Sequence, residues 1–146
     1  EASQAGVEIE LIIRGMCSLI PGKKGLSESI TVISIIGQFL EHSRIFWFGN
    51  GGTPEAFIGS ADWMSRTLDR RVEAVTPIEE PSLREKLERL LDLYFKDNRC
   101  SWAMQSDGQF TARTRREDEP TFNAQTELIK QWSQGILTSS DSTVNH

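Results

Sequence analysis

Short apolar runs rich in β-branched residues dominate the first half of the chain and predict β-strands. Residues 7–13 begin with alternating apolar and acidic positions and then become continuously apolar, as in a strand that enters a core. Residues 30–36 are almost entirely β-branched and predict a fully buried strand. Residues 44–48 and 55–59 flank a segment, 49–54, whose residues tolerate positive φ, so the two runs predict a β-hairpin.

The second half of the chain changes to a helical period. Apolar residues recur on one helical face between residues 83 and 95, and Pro81 suits the first turn of this helix. Residues 71–76 precede the helix as a fifth predicted strand. Residues 100–104 and 109–113 follow it and predict a second hairpin.

A second helix is predicted over residues 121–134. Its inward-facing side chains are expected to be Phe122, Leu128, Ile129 and Trp132. Strands joined both by hairpins and by longer connections, with two late helices, indicate a mixed-sheet α/β fold. A chain of 146 residues suits a single domain, which we place at residues 1–137, and the small polar residues of 138–146 predict a disordered tail.

Composition narrows the class of protein without naming a function. A hydrophobic content of 38% is ordinary for a globular protein, and the net charge of -5 argues against bulk binding to nucleic acid or membrane surfaces. The sequence contains neither an apolar run of membrane-spanning length nor the basic and hydrophobic parts of a signal peptide. The missing initiator Met predicts a piece of a longer protein. Cys17 and Cys100, without a disulfide framework, favour a reducing cytoplasm.

His42 is the main candidate for chemistry, because the other histidine, His146, ends the polar tail. It follows a predicted buried strand, where an imidazole can exchange protons with phosphate oxygens near neutral pH. The alternative is a hydrogen-bonded surface histidine without a catalytic part. Arg44 lies two residues on and therefore on the same face, and an Arg beside a His can hold and protonate a phosphate.

Three further residues suit an anion site. Gly59 ends the second strand of the hairpin and permits close backbone approach, and Ser60 offers a hydroxyl and an amide to an anion. The alternative for this pair is a simple turn. Arg14 ends the first strand and needs an anionic partner, which is either a nucleotide phosphate or an internal acid such as Glu41 or Asp62.

A set of basic residues forms a candidate rim for a polyanion, or alternatively a solvated face. The set comprises Lys23, Lys24, Arg66, Arg70 and Arg71. The sequence carries no zinc-type Cys/His cluster, calcium loop, P-loop or protein-kinase signature, so no metal site is predicted within this chain. Any phosphoryl transfer would therefore use a histidine-based site.

Six blocks of sequence give a more specific indication. They are IRGMC at 13–17, LIPG at 19–22, FLEHSR at 39–44, NGG at 50–52, GSADWM at 59–64 and LDRRVE at 68–73. In order and spacing the chain resembles, from about residue 7 to about residue 135, the C-terminal domain of bacterial polyphosphate kinase. That family extends inorganic polyphosphate from ATP.

The resemblance implies a phospholipase D-like fold, with a mixed β-sheet flanked by helices. It also implies that His42 and the Gly-Ser turn form one half of a phosphoryl-transfer site, with Arg44 in the place of the superfamily's lysine. His42 would then be a catalytic acid or phosphate ligand. Arg14 would contact nucleotide phosphates, and Arg44, Ser60 and Arg70 would complete the phosphate-binding set.

The resemblance further implies that the phosphorylated histidine lies in a part of the enzyme absent from this chain. ATP would be the substrate, with Mg²⁺ held by residues elsewhere. The expected partners are ATP or ADP, inorganic polyphosphate and the rest of the polypeptide in a cytoplasmic homo-oligomer, with membrane association left open. The alternatives are a phospholipase D-like phosphodiesterase or nuclease half-site, and a non-catalytic phosphate-binding or oligomerisation module.

Overall fold

The computed structural model describes residues 1–135. The strands are β1 (Ile9–Ile12), β2 (Ile30–Ile35), β3 (Ile45–Phe48), β4 (Glu55–Gly59), β5 (Val75–Pro77), β6 (Ser101–Met104) and β7 (Phe110–Ala112). The α-helices are α1 (Ser65–Leu68), α2 (Pro81–Lys96) and α3 (Ala124–Ser133), and Ser3–Ala5 and Asn50–Gly52 form short 3-10 turns.

The chain divides into two compact units. The first unit comprises Glu1–Leu40 and the chain from Leu93 onward, and the second unit comprises Glu41–Asp92. The boundary at Asp92 falls inside α2.

The first unit is built on a four-stranded mixed sheet with the order β1-β2-β6-β7. β1 pairs parallel to β2, whereas β2 with β6 and β6 with β7 are antiparallel. β2 is an inner strand, and the residues from Val32 to Ile35 are all buried. A strand covered on both faces has no solvated side, which explains why its sequence does not alternate between apolar and charged residues.

Asp97 joins three elements of the first unit from a fully buried position. Its carboxylate accepts hydrogen bonds from the backbone N–H groups of Arg99 (2.8 Å), Cys100 (2.6 Å) and Ala124 (2.8 Å). The residue lies directly after α2, where the helix dipole disfavours a negative charge. The three donors offset this effect and the loss of water, so Asp97 ties the end of α2 to the start of β6 and of α3.

Gln125 anchors the chain that leaves β2. Its side-chain carbonyl accepts from the backbone N–H of Phe39 at 3.0 Å, and its amide donates to the Phe39 carbonyl at 2.8 Å. A Cβ atom on Gly37 would lie 2.4 Å from the Gln125 Oε1 atom, so this close approach requires glycine.

Both cysteines, Cys17 and Cys100, are free thiols. Burial and the negative charge of Asp97 raise the pKa of the Cys100 thiol, although Arg99 and a hydrogen bond from Asn123 oppose the shift. Cys100 therefore stays protonated and acts as a packed, hydrogen-bonded group.

The second unit contains a three-stranded antiparallel sheet with the order β3-β4-β5. Phe46 pairs with Phe57 in the ladder, and Phe48 packs its edge against Phe57 with the ring centroids 6.1 Å apart. Trp63 stacks on Phe46 at 5.2 Å with an interplanar angle of 16°. These aromatic contacts fix the segment that follows β4 against β3.

The predicted mixed α/β class is confirmed, with the strands distributed over two sheets. The predicted hairpin β3–β4, the hairpin β6–β7 and the long helix α2 are present. The strand predicted at 71–76 is wrong over its first part, because only Val75–Pro77 pairs with β4. Val72 is fully exposed, so its apolar character reflects no burial. The assignment of residues 1–137 to one domain stays a prediction, and the predicted tail at 138–146 lies outside the described residues.

The inward face predicted for the last helix is wrong at Ile129 and Trp132, whereas Phe122 and Leu128 are half-buried. Ile129 is 50% exposed and Trp132 is 66% exposed, whereas Ala124 and Gln125 in the first turn are buried. The helix starts at Ala124 because Asn123 caps it, accepting from the Thr126 N–H at 2.9 Å. Hydrophobic periodicity identified the helix but not which turn packs.

No helix within residues 1–135 combines the length and the apolar character needed to cross a bilayer.

Substituting Asp97→Asn should lower the free energy of unfolding by about 1–3 kcal/mol, because an amide cannot accept from all three N–H donors without turning its own NH₂ toward one of them. Urea denaturation measures the change. Asp92→Asn, at an exposed position of α2, is the matched control and should unfold like the wild type. Equal stability of the two variants would remove Asp97 as the link between these elements.

Candidate functional site

The antiparallel pairing of β3 with β4 sets up the candidate site in the second unit. Ile45 pairs with Ile58, and the Gly59 N–H donates to the Arg44 carbonyl at 3.1 Å. The residues just before β3 therefore lie beside the residues just after β4. This register places Arg44 within reach of Asp62, three residues beyond the end of β4.

Arg44 connects His42 to Asp62. Its Nε and Nη2 atoms each lie 3.0 Å from Oδ1 of Asp62. Its Nη1 atom donates to the His42 carbonyl at 2.7 Å and lies 2.8 Å from Nδ1 and 3.1 Å from Nε2 of the His42 ring. The Arg44 side chain is only 16% exposed, whereas His42 is exposed. The mostly buried guanidinium of Arg44 therefore contacts the His42 ring, which is open to solvent.

Ser60 belongs to a second set of contacts. Its N–H donates to the Ala74 carbonyl at 2.9 Å, its hydroxyl accepts from the Ala74 N–H at 3.1 Å, and the same hydroxyl donates to Oε2 of Glu73. Glu73 in turn pairs through Oε1 with Nε of Arg71 at 3.2 Å. Ser60 therefore extends the pairing of β4 and β5, and its polar groups already have partners.

Gly59 is the position that allows this return of the chain. A Cβ atom here would lie 2.7 Å from the Ala74 carbonyl oxygen and 3.0 Å from a methyl group of Val75. The close approach of backbone to backbone excludes any side chain, as the sequence pattern predicted.

The remaining predicted arginines are exposed. Arg14 follows β1 in the first unit, and Arg70 follows α1 in the second. Within the described part of its own unit, neither side chain forms an ion pair or hydrogen bond. Lys23, Lys24 and Arg66 are also exposed.

The structure therefore brings together two of the predicted site residues, His42 and Arg44, and it adds Asp62 to them. Sequence reasoning weighed Asp62 as a partner for Arg14, but its carboxylate pairs with Arg44. It missed Glu73, the partner of Ser60. The hairpin register was the available signal for Asp62, because it sets an acid after β4 opposite an arginine before β3.

Residues 1–135 contain no group of three or more His, Cys, Asp or Glu side chains that could hold a metal ion. Asp62 and Glu73, the carboxylates in contact with Arg44 and Ser60, are each paired with an arginine. A divalent cation has no preformed ligand set in this part of the chain.

Comparison with known proteins decides the family. The family model described as "Polyphosphate kinase C-terminal domain 2" matches residues 1–125. The chain belongs to this family. The polyphosphate kinase resemblance of the six sequence blocks is thereby confirmed.

Curated relatives of the chain are named polyphosphate kinase, in agreement with the family model. The chain is 71% identical over 136 residues to "Polyphosphate kinase" of Parasynechococcus marenigrum, covering 93% of this chain and 19% of that protein. It is 65% identical over 136 residues to "Polyphosphate kinase" of Prochlorococcus marinus, with the same coverage of both chains. The chain thus spans about a fifth of the length of these curated relatives.

The fold matches as well. The crystal structure of polyphosphate kinase from Porphyromonas gingivalis superposes with a TM-score of 0.87 at 38% identity, covering 95% of this chain and 21% of that one. The mixed α/β arrangement described above is therefore shared with a solved polyphosphate kinase.

Substituting Ser60→Ala should lower the free energy of unfolding by about 1 kcal/mol, because Glu73 loses a donor and the Ala74 N–H loses an acceptor. Urea denaturation measures it. Ser82→Ala is the control, since the exposed Ser82 hydroxyl makes no hydrogen bond to the described residues. An unchanged midpoint for Ser60→Ala would show that these two hydrogen bonds do not stabilise the fold.

Proposed function

We propose that this chain is the C-terminal catalytic domain of a polyphosphate kinase, which reversibly transfers the γ-phosphoryl group of ATP to inorganic polyphosphate. One observation carries the proposal beyond family membership. The exposed ring of His42 stands against the guanidinium of Arg44, which Asp62 holds in place. A solvent-facing imidazole next to a fixed positive charge suits binding and proton exchange with a phosphate.

The transfer would run in two steps through a phosphohistidine located outside this chain. In the first step a P–N bond to that histidine forms as the P–O bond to ADP breaks. In the second step a terminal oxygen of polyphosphate attacks the phosphorus and the P–N bond breaks. His42 would donate a proton to, or accept one from, the phosphate oxygens that gain or lose charge. Positioning and charge stabilisation would supply most of the rate.

The exposed cations would supply charge to the phosphates. Arg14 and Arg70 have guanidinium groups without partners in the described part of their own units, so both can accept an anion without first breaking a contact. Arg14 would contact nucleotide phosphates.

Arg44 and Ser60 can contribute less directly. A guanidinium carries five N–H donors, and the contacts of Arg44 with Asp62 and His42 leave about one of them for a phosphate, together with its charge. Ser60 would have to exchange its bond to Glu73 before its hydroxyl could bind a phosphate.

The partners of the whole enzyme follow from the same proposal. They are ATP or ADP, inorganic polyphosphate and the rest of the polypeptide, in a homo-oligomer located in the cytoplasm. Mg²⁺ would accompany the nucleotide and neutralise phosphate charge, with its ligands outside residues 1–135, since these residues offer no cluster that fits the ion.

A phospholipase D-like phosphodiesterase or nuclease is the second candidate function. It rests on the combination of His42 with the Gly59–Ser60 turn. Arg44 in the place of a lysine and the polyphosphate kinase blocks favour the kinase. A module that only binds phosphate or mediates oligomerisation is the third candidate, and it would leave His42 without a catalytic part.

In the full-length enzyme, His42→Ala should lower the rate of polyphosphate synthesis by a factor of about 100 or more, the usual contribution of a positioned acid or base. The synthesis rate and the thermal unfolding midpoint would be measured together. His146→Ala, which alters the second histidine of this 146-residue chain, should leave both unchanged. Wild-type synthesis by His42→Ala would remove this residue from the mechanism.

The chain of 146 residues on its own should make no polyphosphate from ATP, because the phosphohistidine lies elsewhere. It should also fail to hydrolyse a phosphodiester such as bis-p-nitrophenyl phosphate in the presence of a metal chelator. Both assays use product release over time. Robust metal-independent hydrolysis would favour the phosphodiesterase, and efficient synthesis would contradict the proposed division of the site.

A further inference from the structure

We propose that Asp62 is a positioning residue of the phosphoryl-transfer site, which fixes the ring of His42 by holding Arg44. The main task of Arg44 is then to orient His42, and binding a phosphate is secondary. The inference rests on the proposed function, and it adds a residue to the site and a division of labour within it.

Asp62 holds the guanidinium of Arg44 through two contacts. Nε and Nη2 of Arg44 both lie 3.0 Å from Oδ1 of Asp62, so this carboxylate oxygen binds one edge of the planar guanidinium. With the Arg44 side chain 16% exposed, the charge is largely withdrawn from water and depends on this partner. Rotation of the guanidinium would break both contacts together.

The guanidinium of Arg44 in turn contacts His42 at two places. The opposite edge of the guanidinium, Nη1, contacts both the backbone carbonyl and the ring of the same residue. An exposed imidazole without such contacts would sample several rotamers. Because Nη1 lies within 3.1 Å of both ring nitrogens and also bonds the His42 carbonyl, it restricts rotation of the ring about its side-chain bonds.

Contacts of the neighbouring residues hold Asp62 in place. The next residue, Trp63, stacks on Phe46 of β3 at 5.2 Å, and the Asp62 carbonyl accepts from the Met64 N–H at 2.8 Å. Arg44 lies directly before β3 and Phe46 lies within it, so the ion pair and the aromatic stack attach the segment after β4 to the same strand. Asp62 therefore lies in a segment that an aromatic stack and a backbone hydrogen bond hold beside β3, although its side chain is 37% exposed.

Asp62→Asn in the full-length enzyme tests the inference, since it removes the charge and keeps the size. We expect kcat for polyphosphate synthesis to fall between about tenfold and a hundredfold, the loss that a displacement of roughly 1 Å can cause. KM for ATP should change by less than about twofold, because Asp62 touches no substrate.

The decisive readout is a double-mutant cycle with His42→Ala. If Asp62 acts through His42, then Asp62→Asn should reduce kcat no further once His42 is replaced, whereas a purely structural effect would add. Glu85→Gln is the control, because it breaks an exposed ion pair with Arg89 in the same unit and should retain wild-type kinetics. Thermal unfolding checks that each variant is folded. Should Asp62→Asn not fold, Asp62→Glu takes its place in the same cycle with the same expectation.

The outcomes separate this inference from the proposed function. Wild-type synthesis by His42→Ala would overturn the proposed function and the inference with it. A large loss in His42→Ala, together with a wild-type kcat in Asp62→Asn, an additive loss in the double variant or a change confined to KM, would overturn the positioning role alone.

Discussion

A charge that is withdrawn from water must have its hydrogen-bonding groups matched, and two such charges organise this chain. In the first unit the buried carboxylate of Asp97 collects three backbone N–H groups and so fixes the end of α2 and the starts of β6 and α3. In the second unit the guanidinium of Arg44 is matched by Asp62 on one edge and by His42 on the other. Each charge joins segments that are distant in sequence and so adds a polar link to the contacts of the strands and helices.

The same constraint separates the polar groups that support the site from those available to a ligand. The hydroxyl of Ser60 and the carboxylate of Glu73 satisfy each other, and they stabilise the return of the chain from β4 to β5. Arg70 is exposed without a partner in the described part of its unit. Of the residues that the sequence proposed as phosphate ligands, Ser60 is therefore engaged within the fold, whereas Arg70 has no such contact among the described residues of its unit.

Sequence reasoning succeeded where a local rule decides the outcome. The β-branched run of β2 indicated a buried strand, and the position of Arg44 two residues after His42 indicated that the two side chains share a side. It failed where the outcome depends on contacts between distant segments. The partner of Ser60 is Glu73, which follows α1 in the chain. The pattern of apolar residues does not predict that this later segment comes back beside Ser60. Trp132 looked like a core residue because its spacing suits a helix face, yet only the first turn of α3 is buried.

The contacts of Arg44 require an arginine, and a lysine at this position could not form all of them. A lysine carries its donors on a single nitrogen, and it cannot hold a carboxylate on one edge while contacting a carbonyl and an imidazole on the other. The planar guanidinium does both, with Nε and Nη2 toward Asp62 and Nη1 toward His42. Where the phospholipase D-like half-motif has a lysine, this chain has an arginine whose guanidinium contacts both Asp62 and His42. On the proposed function, Arg44 then supports the histidine more than it binds the substrate, and exposed arginines would meet the phosphate charge.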